Sequence, residues 1–273
     1  MNRRKRKTDL ITVPSRESYL GSAIILLTTG VISLAMVMSG AGGIYMIAAL
    51  SLLLAIAVIQ RRVYAVHLVM FALLLLLPAN LGFLPVHWPL NILGPIMLYA
   101  LIVFVVPGLR RSVHWLKRGR LDAKVLRLII ATAFLSAVAL VCWVVFFSPD
   151  IKQHIELVPD LPFWAYPLAG VGFAIFNAAM EEAVFRGIIM DALDSALGEG
   201  HISVGIQAVP FAAFHYLAGF PNGVPGFIMV LIYGILLGAI RRLSKGILAP
   251  FVAHVVADIT IFSILVFAIF SKP

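Results

Sequence analysis

Residues 178–189 read "AAMEEAVFRGII", two carboxylates and a guanidinium set inside an apolar run that extends over roughly 165–190. A run of that length matches the ~20 residues of a membrane-spanning helix. Whether it is one, and why it carries charge, depends on what surrounds it.

The surroundings are apolar throughout. The chain has 273 residues, 62% hydrophobic and 12% charged, with a mean hydropathy of +1.05. A soluble domain carries about twice that charged fraction, and its apolar runs are broken into shorter pieces. Nine runs are long enough to be spans, at roughly 19–39, 43–60, 63–84, 91–108, 126–148, 165–190, 203–219, 225–240 and 247–270. The seventh is the weakest, because it holds Gln207, Pro210 and His215. Neighbouring helices can satisfy the backbone group that a proline frees. The predicted fold class is all-α, a polytopic membrane bundle of about eight to nine transmembrane helices.

The formal charge of +9 does not imply a nucleic acid partner, since the basic residues cluster between apolar runs. With the N-terminus inside, 18 lysines and arginines fall in inner segments, and only Lys152 and Lys272 in outer ones. That split predicts a cytoplasmic N-terminus and supports nine spans. The opening "MNRRKRK" could begin a signal peptide, but the first apolar run starts only near Tyr19 and eight more follow. It reads as the basic tail of an uncleaved first helix. Cys142 is the only cysteine, so no disulfide framework exists.

Two connections are longer than the rest. "RRSVHWLKRGRLDAK" (110–124) is basic and suits either a surface helix at an anionic leaflet or a plain solvated loop. "SPDIKQHIELVPDLP" (148–162) is acidic on balance and falls outside. They suggest an N-terminal bundle over 1–150 and a C-terminal one over 151–273. No internal repeat is evident, which weakens a transporter built on repeats.

The C-terminal spans contain Glu181, Glu182, Arg186, His215, His254 and Asp258, with little comparable in the N-terminal half. An Asp, Lys or Arg at a helix centre costs about 2.5–3.5 kcal/mol on insertion scales, so such residues face a bundle interior and mark functional paths. Glu182 and Arg186 are four apart and can pair. Glu181 lies about 100° around the helix axis and is left over, which suits a general base. Phe211 and His215 share a face, as do His254 and Asp258. From the inner helix ends, Glu181 lies about 13 Å deep, His215 about 18 Å, His254 about 10 Å and Asp258 about 16 Å. These depths predict one cluster in the cytoplasmic half of the membrane. His67, His87, His114, His154 and His201 read as solvated or interfacial, and Asp191 and Asp194 as the wet end of the sixth helix. Gly170, Gly172, Gly234 and Gly238 read as sites of close helix packing.

The pieces "EEAVFR" (181–186), "FAAFH" (211–215) and "HVVAD" (254–258) resemble the E-E-x-x-x-R, F-x-x-x-H and H-x-x-x-[ND] motifs of the CAAX protease and bacteriocin-processing family of intramembrane endopeptidases. The resemblance covers roughly 165–262. Each motif alone is weak, but all three in order, each in a transmembrane run, are specific. The resemblance implies that Glu181 activates water with help from His215, and that His254 and Asp258 stabilise the oxyanion or hold the second side of the site. Glu182 with Arg186 would be structural support, and Phe211 would pack beside the histidine. The family's prenyl peptidases usually carry Asn at the last position. An ionised Asp258 cannot donate to an oxyanion, so it would instead orient His254 or be protonated. The family has been described both as metal-dependent and as metal-independent, so zinc on His215, His254 and Glu181 is one option and a glutamate base without metal the other. The implied partners are the lipid bilayer and a protein or peptide substrate, with or without a lipid modification. The implied setting is a multi-pass protein of a prokaryotic plasma membrane. The rivals are a catalytically idle scaffold or immunity protein and a proton-coupled transporter; the complete set of four site residues favours the enzyme.

Overall fold

The computed structural model describes residues 17–38, 42–81 and 88–271. Among them there is no strand. The basic tail before residue 17, His87 and Lys272 lie outside the described residues. The helices are α1 (Tyr19–Val37), α2 (Gly43–Ile59), α3 (Val63–Leu81), α4 (Leu90–Val105), the single turn α5 (Pro107–Arg110), α6 (Ala123–Phe147), the single turn α7 (Lys152–Ile155), α8 (Tyr166–Glu182), α9 (Met190–Leu197), α10 (His201–Ala218), α11 (Gly223–Ser244) and α12 (Leu248–Phe270). Each of the nine expected runs coincides with a helix, with α8 and α9 joined through residues 183–189 into one long rod. Among the described residues five stretches are long and apolar enough to cross a membrane, and three shorter apolar helices accompany them.

The exterior confirms the solvent. Phe134, Phe146 and Phe147 on α6 and Phe104 on α4 are largely exposed, whereas Arg186 is completely buried. This inversion of a soluble protein's pattern places lipid outside and polar groups within. Helices α8 and α12 pack side by side, α10 lies between α1 and α11, and α6 covers α11 and α12. Close approach of α10 and α11 depends on glycine. A Cβ on Gly234 would come within 3.0 Å of Ala208 and Phe211, and one on Gly238 within 2.9 Å of Gln207 and Val204. Gly170 has the same role against Phe262, but Gly172 faces open space and packs against nothing.

The basic connection forms neither a surface helix nor a free loop. Residues 113–122 run extended across the α11–α12 turn, where Arg120 N donates to Ser244 O (2.9 Å) and Ile247 N to Lys117 O (2.8 Å). Gly119, at φ +74°, permits the contact, since a Cβ there would sit 2.7 Å from Gly246. Asp122 then caps α6, accepting from Lys124 N and Val125 N. The Val125 N–H bond, with Arg120 beside it, holds the Asp122 carboxyl below its usual range.

Three polar positions read as wet are not. His67 is buried, its Nδ1 2.7 Å from the Tyr99 hydroxyl and its Nε2 2.8 Å from Ser112 Oγ, and so clips α3 to α4 and to the chain after α5. His154 is buried as well, its Nε2 donating to the Gly219 carbonyl (3.0 Å). Asp194 receives both Nη atoms of Arg242 (2.8 and 2.5 Å) and the Ser203 hydroxyl (2.6 Å), which ties α9, α10 and α11 together. Each correction has the same cause: these residues lie near helix ends in sequence but against a neighbouring helix in space. His114 and His201 are exposed, as expected.

Candidate functional site

The rod that carries the opening motif is not uniformly α-helical. Residues Ala183–Ile189 form π-helical turns, a widening that is frequent at functional sites. A bulky neighbour lies against them: a Cβ on Gly187 would be 2.7 Å from the Trp115 ring. Despite the wider turn, Arg186 Nη1 still lies 2.9 Å from Glu182 Oε1. Arg186 Nη2 donates to the Gly234 carbonyl (3.4 Å), and its guanidinium stacks 4.3 Å from the centre of the Phe211 ring. The backbone carbonyl of Arg186 accepts from Arg241 Nε (2.6 Å). Arg186 therefore joins α8, α10 and α11.

Glu182 has a second partner that sequence spacing does not reveal. Its Oε1 also accepts from His254 Nδ1 (2.8 Å), across the α8–α12 contact. That bond fixes the imidazole tautomer and turns Nε2 toward the other two carboxylates. Nε2 stands 3.5 Å from Glu181 Oε2 and 3.8 Å from Asp258 Oδ1. Glu182, not Asp258, is thus the group that orients His254.

Glu181 is 4% exposed on its whole residue and differs from its neighbour in its bonding. One oxygen, Oε1, accepts from Asn177 Nδ2 (3.1 Å), while Oε2 has no hydrogen-bond partner in the protein. The same Asn177 Nδ2 donates to Asp258 Oδ2 (3.2 Å). Asn177 was not among the candidates from sequence, although it lies four residues before Glu181 and so on the same face of α8.

His215 completes the cluster from α10. Its Nδ1 donates to the Phe211 carbonyl (3.0 Å), which leaves Nε2 for a ligand. Its ring lies edge-on to Phe211 at 5.0 Å, and Phe211 also meets His254 at 5.9 Å. Phe211 is therefore packed beside both histidines. The chain after α10 presses on the ring: a Cβ on Gly219 would be 2.5 Å from His215 Cα.

Two cavities meet at these residues. One, of about 390 Å³, is bordered by Asn177, Glu181, His215 and Asp258, and extends to Trp88, Leu157 and Phe220 at the end of the bundle bearing residues 148–162. The other, of about 270 Å³, is almost wholly apolar and lies among α6, α11 and α12, with His215, His254 and Asp258 at its inner end. Below Glu181, toward the basic end, the interior is filled by Glu182, Arg186, Phe211 and Gln207. The rod continues to Leu197 rather than ending near 190. At 1.5 Å per residue Glu181 is about 24 Å from that end, and His215 is within one turn of the opposite end of α10.

Zinc requires three or four donors at about 2.0–2.3 Å from one point. Among the described residues no group of three or more His, Cys, Asp or Glu side chains is arranged to hold a metal ion. One nitrogen of His254 is committed to Glu182 and one of His215 to the Phe211 carbonyl. Among the described residues His215, His254 and Glu181 are neighbours in a hydrogen-bonded cluster and are not arranged as a metal site.

Acids and histidines buried beside a cavity within a bundle of apolar helices suit an intramembrane enzyme or a transporter. The comparisons with known proteins narrow this. Residues 162–260 match the family model described as type II CAAX prenyl endopeptidase Rce1-like. The matched segment contains all three motifs and every side chain of the cluster. Over that segment the chain is similar to this family, in agreement with the resemblance in the sequence. No curated protein and no solved structure matches the chain.

Proposed function

We propose that the protein is an intramembrane endopeptidase in which Glu181 is the general base. The observation that carries this reading is the contrast between adjacent carboxylates: Glu182 is tied to the Arg186 guanidinium and to His254, whereas Glu181 accepts from the uncharged Asn177 amide and borders the larger cavity. Water between Oε2 and a substrate carbonyl gives up a proton to Glu181, and its oxygen adds to the carbonyl carbon. The oxyanion that forms needs N–H donors. Nδ1 of each histidine is already donating, to the Phe211 carbonyl and to Glu182, so Nε2 of His215 accepts from the water in the neutral ring, and Nε2 of either ring donates to the oxyanion only when that ring is protonated. The carbon–nitrogen bond then breaks, the proton passes to the leaving nitrogen, and a carboxylate and an amine are released. Asp258 Oδ1 lies 3.8 Å from His254 Nε2.

The two cavities support a division of labour. The larger, bordered by Asn177 and both acids, suits water and the peptide backbone. The smaller suits an apolar segment or a lipid group of the substrate. The charge split supports a cytoplasmic basic end, and the larger cavity then leads from Glu181 toward the 148–162 end. Single cysteines at Leu157 and at Leu116, in a Cys142→Ser background, test this orientation by labelling of intact cells. Labelling of position 116 from outside would reverse it.

The decisive experiment is cleavage of lipidated and unlipidated peptides by the purified protein, with Glu181→Ala and His215→Ala as controls. Cleavage that survives both changes rules out this mechanism. An idle scaffold or a transporter would show no cleavage of any peptide.

A further inference from the structure

We infer that Asn177 is a positioning residue that sets Glu181 and Asp258 in their working orientation, an inference that rests on the hydrolytic reading above. Asn177 is 8% exposed on α8, and its amide touches three elements at once. Nδ2 donates one hydrogen to Glu181 Oε1 (3.1 Å) and the other to Asp258 Oδ2 (3.2 Å). Oδ1 accepts from the Trp88 indole Nε1 (3.3 Å). The indole N–H is a donor only, so it fixes which end of the amide faces the acids. Turned over, the amide would set its oxygen against two carboxylates and its NH₂ against an N–H. Trp88 is itself held against Phe173, ring centres 5.6 Å apart.

The chemistry explains why an amide stands there. Two acids that share one buried site repel each other when ionised. A lysine between them would remove the repulsion but bind Glu181 as Arg186 binds Glu182, and so abolish its freedom as a base. A serine offers one hydrogen, not two. An amide donates to both acids, adds no charge, and occupies Oε1 of Glu181 alone. The carboxylate cannot then rotate, and Oε2 is the oxygen presented to water.

The test uses the full-length protein in detergent and the peptide panel above. In Asn177→Ala and Asn177→Leu we expect kcat to fall at least tenfold with KM changed less than twofold. The alanine variant opens space beside the larger cavity, so acetamide, which carries two N–H donors, should restore part of its kcat. Acetamide should not rescue the leucine variant, whose side chain fills the space. The inference is overturned if both variants keep kcat within twofold of wild type while Glu181→Ala is inactive. It is also overturned if the loss of rate only follows a loss of folded protein and acetamide restores none of it. Should the wild type cleave no peptide, it is the hydrolytic reading that fails. The amide clamp is then read by infrared difference spectra against Glu181→Gln and Asp258→Asn. Carboxylate bands that shift in Asn177→Leu support the clamp, and unshifted bands refute it.

Discussion

His67 and His254 are both buried histidines that bridge membrane helices, and they do so in opposite ways. At His67 both ring nitrogens are bonded, to Tyr99 and Ser112, and Ser112 passes its own hydrogen to the Leu109 carbonyl. The adjoining cleft is only about 10 Å³. At His254 one nitrogen is bonded to Glu182 and the other faces two acids at 3.5 and 3.8 Å without a close hydrogen bond. Cavities of about 270 and 390 Å³ adjoin that cluster. Burial of a histidine is common to both, so burial does not mark function. The difference lies in polar capacity left unused beside space, which a closed structural clip has no reason to keep.

The comparison is broken most directly at Glu181. Glu181→Gln keeps the size and the Asn177 contact but removes the base. Cleavage is expected to fall by about 10³-fold, within the range general bases supply, while the melting temperature in detergent stays close to wild type. A variant that still cleaves at a tenth of the normal rate would return Glu181 to the structural class of His67.

Arg186→Met attacks the structural side of the same cluster. The guanidinium is completely buried, with Glu182, the Gly234 carbonyl and Phe211 as its partners. Removing one member of a buried pair leaves the other charge uncompensated, at a cost of about 3–5 kcal/mol. Equilibrium unfolding in mixed micelles should show that loss, with activity falling in proportion to folded protein. Unchanged stability would mean that Glu182 is neutralised by His254 alone.

Much of this was legible from sequence because the bilayer makes polar residues conspicuous. The nine runs, the Glu182–Arg186 pair and the meeting of Glu181, His215, His254 and Asp258 all follow from spacing within single helices together with depth. What sequence did not reveal depends on contacts between helices. The Glu182–His254 bond exists because α8 packs on α12, and no periodicity within either helix encodes that. Asn177 is uncharged, so hydropathy passes over it, and it gains meaning only once Asp258 is beside it. The extended 113–122 strap is basic and exposed like a solvated loop, yet its backbone is bonded to the α11–α12 turn. The length of the rod was not legible either, because "DALDSAL" after residue 190 looks like a wet end, whereas Asp194 is paired with Arg242 and the helix continues.

Gly219→Ala sharpens the comparison without touching a polar atom. Gly219 has φ −78°, so its backbone suits any residue, and the constraint is contact with His215 alone. An added methyl must displace the His215 ring or the α10 terminus. A misplacement of about 1 Å can cost about 10²-fold in rate, so a drop of ten- to a hundredfold in kcat is expected with modest change in stability. Activity equal to wild type would show that the ring's position does not matter to the reaction.

His67→Phe is the reciprocal change, and its effect should be the smallest. The ring volume is retained, while two buried hydrogen bonds are lost and the Tyr99 and Ser112 hydroxyls are left to find other partners. At about 1 kcal/mol net for each bond, a destabilisation of roughly 2 kcal/mol is expected, read as a lower melting temperature in detergent. Below that temperature kcat and KM should both match wild type, because no atom of the His67 clip borders the cavity that holds Glu181. A fall in kcat in the folded variant would link the two histidines energetically, and the distinction between a closed clip and an open site would no longer separate structure from function.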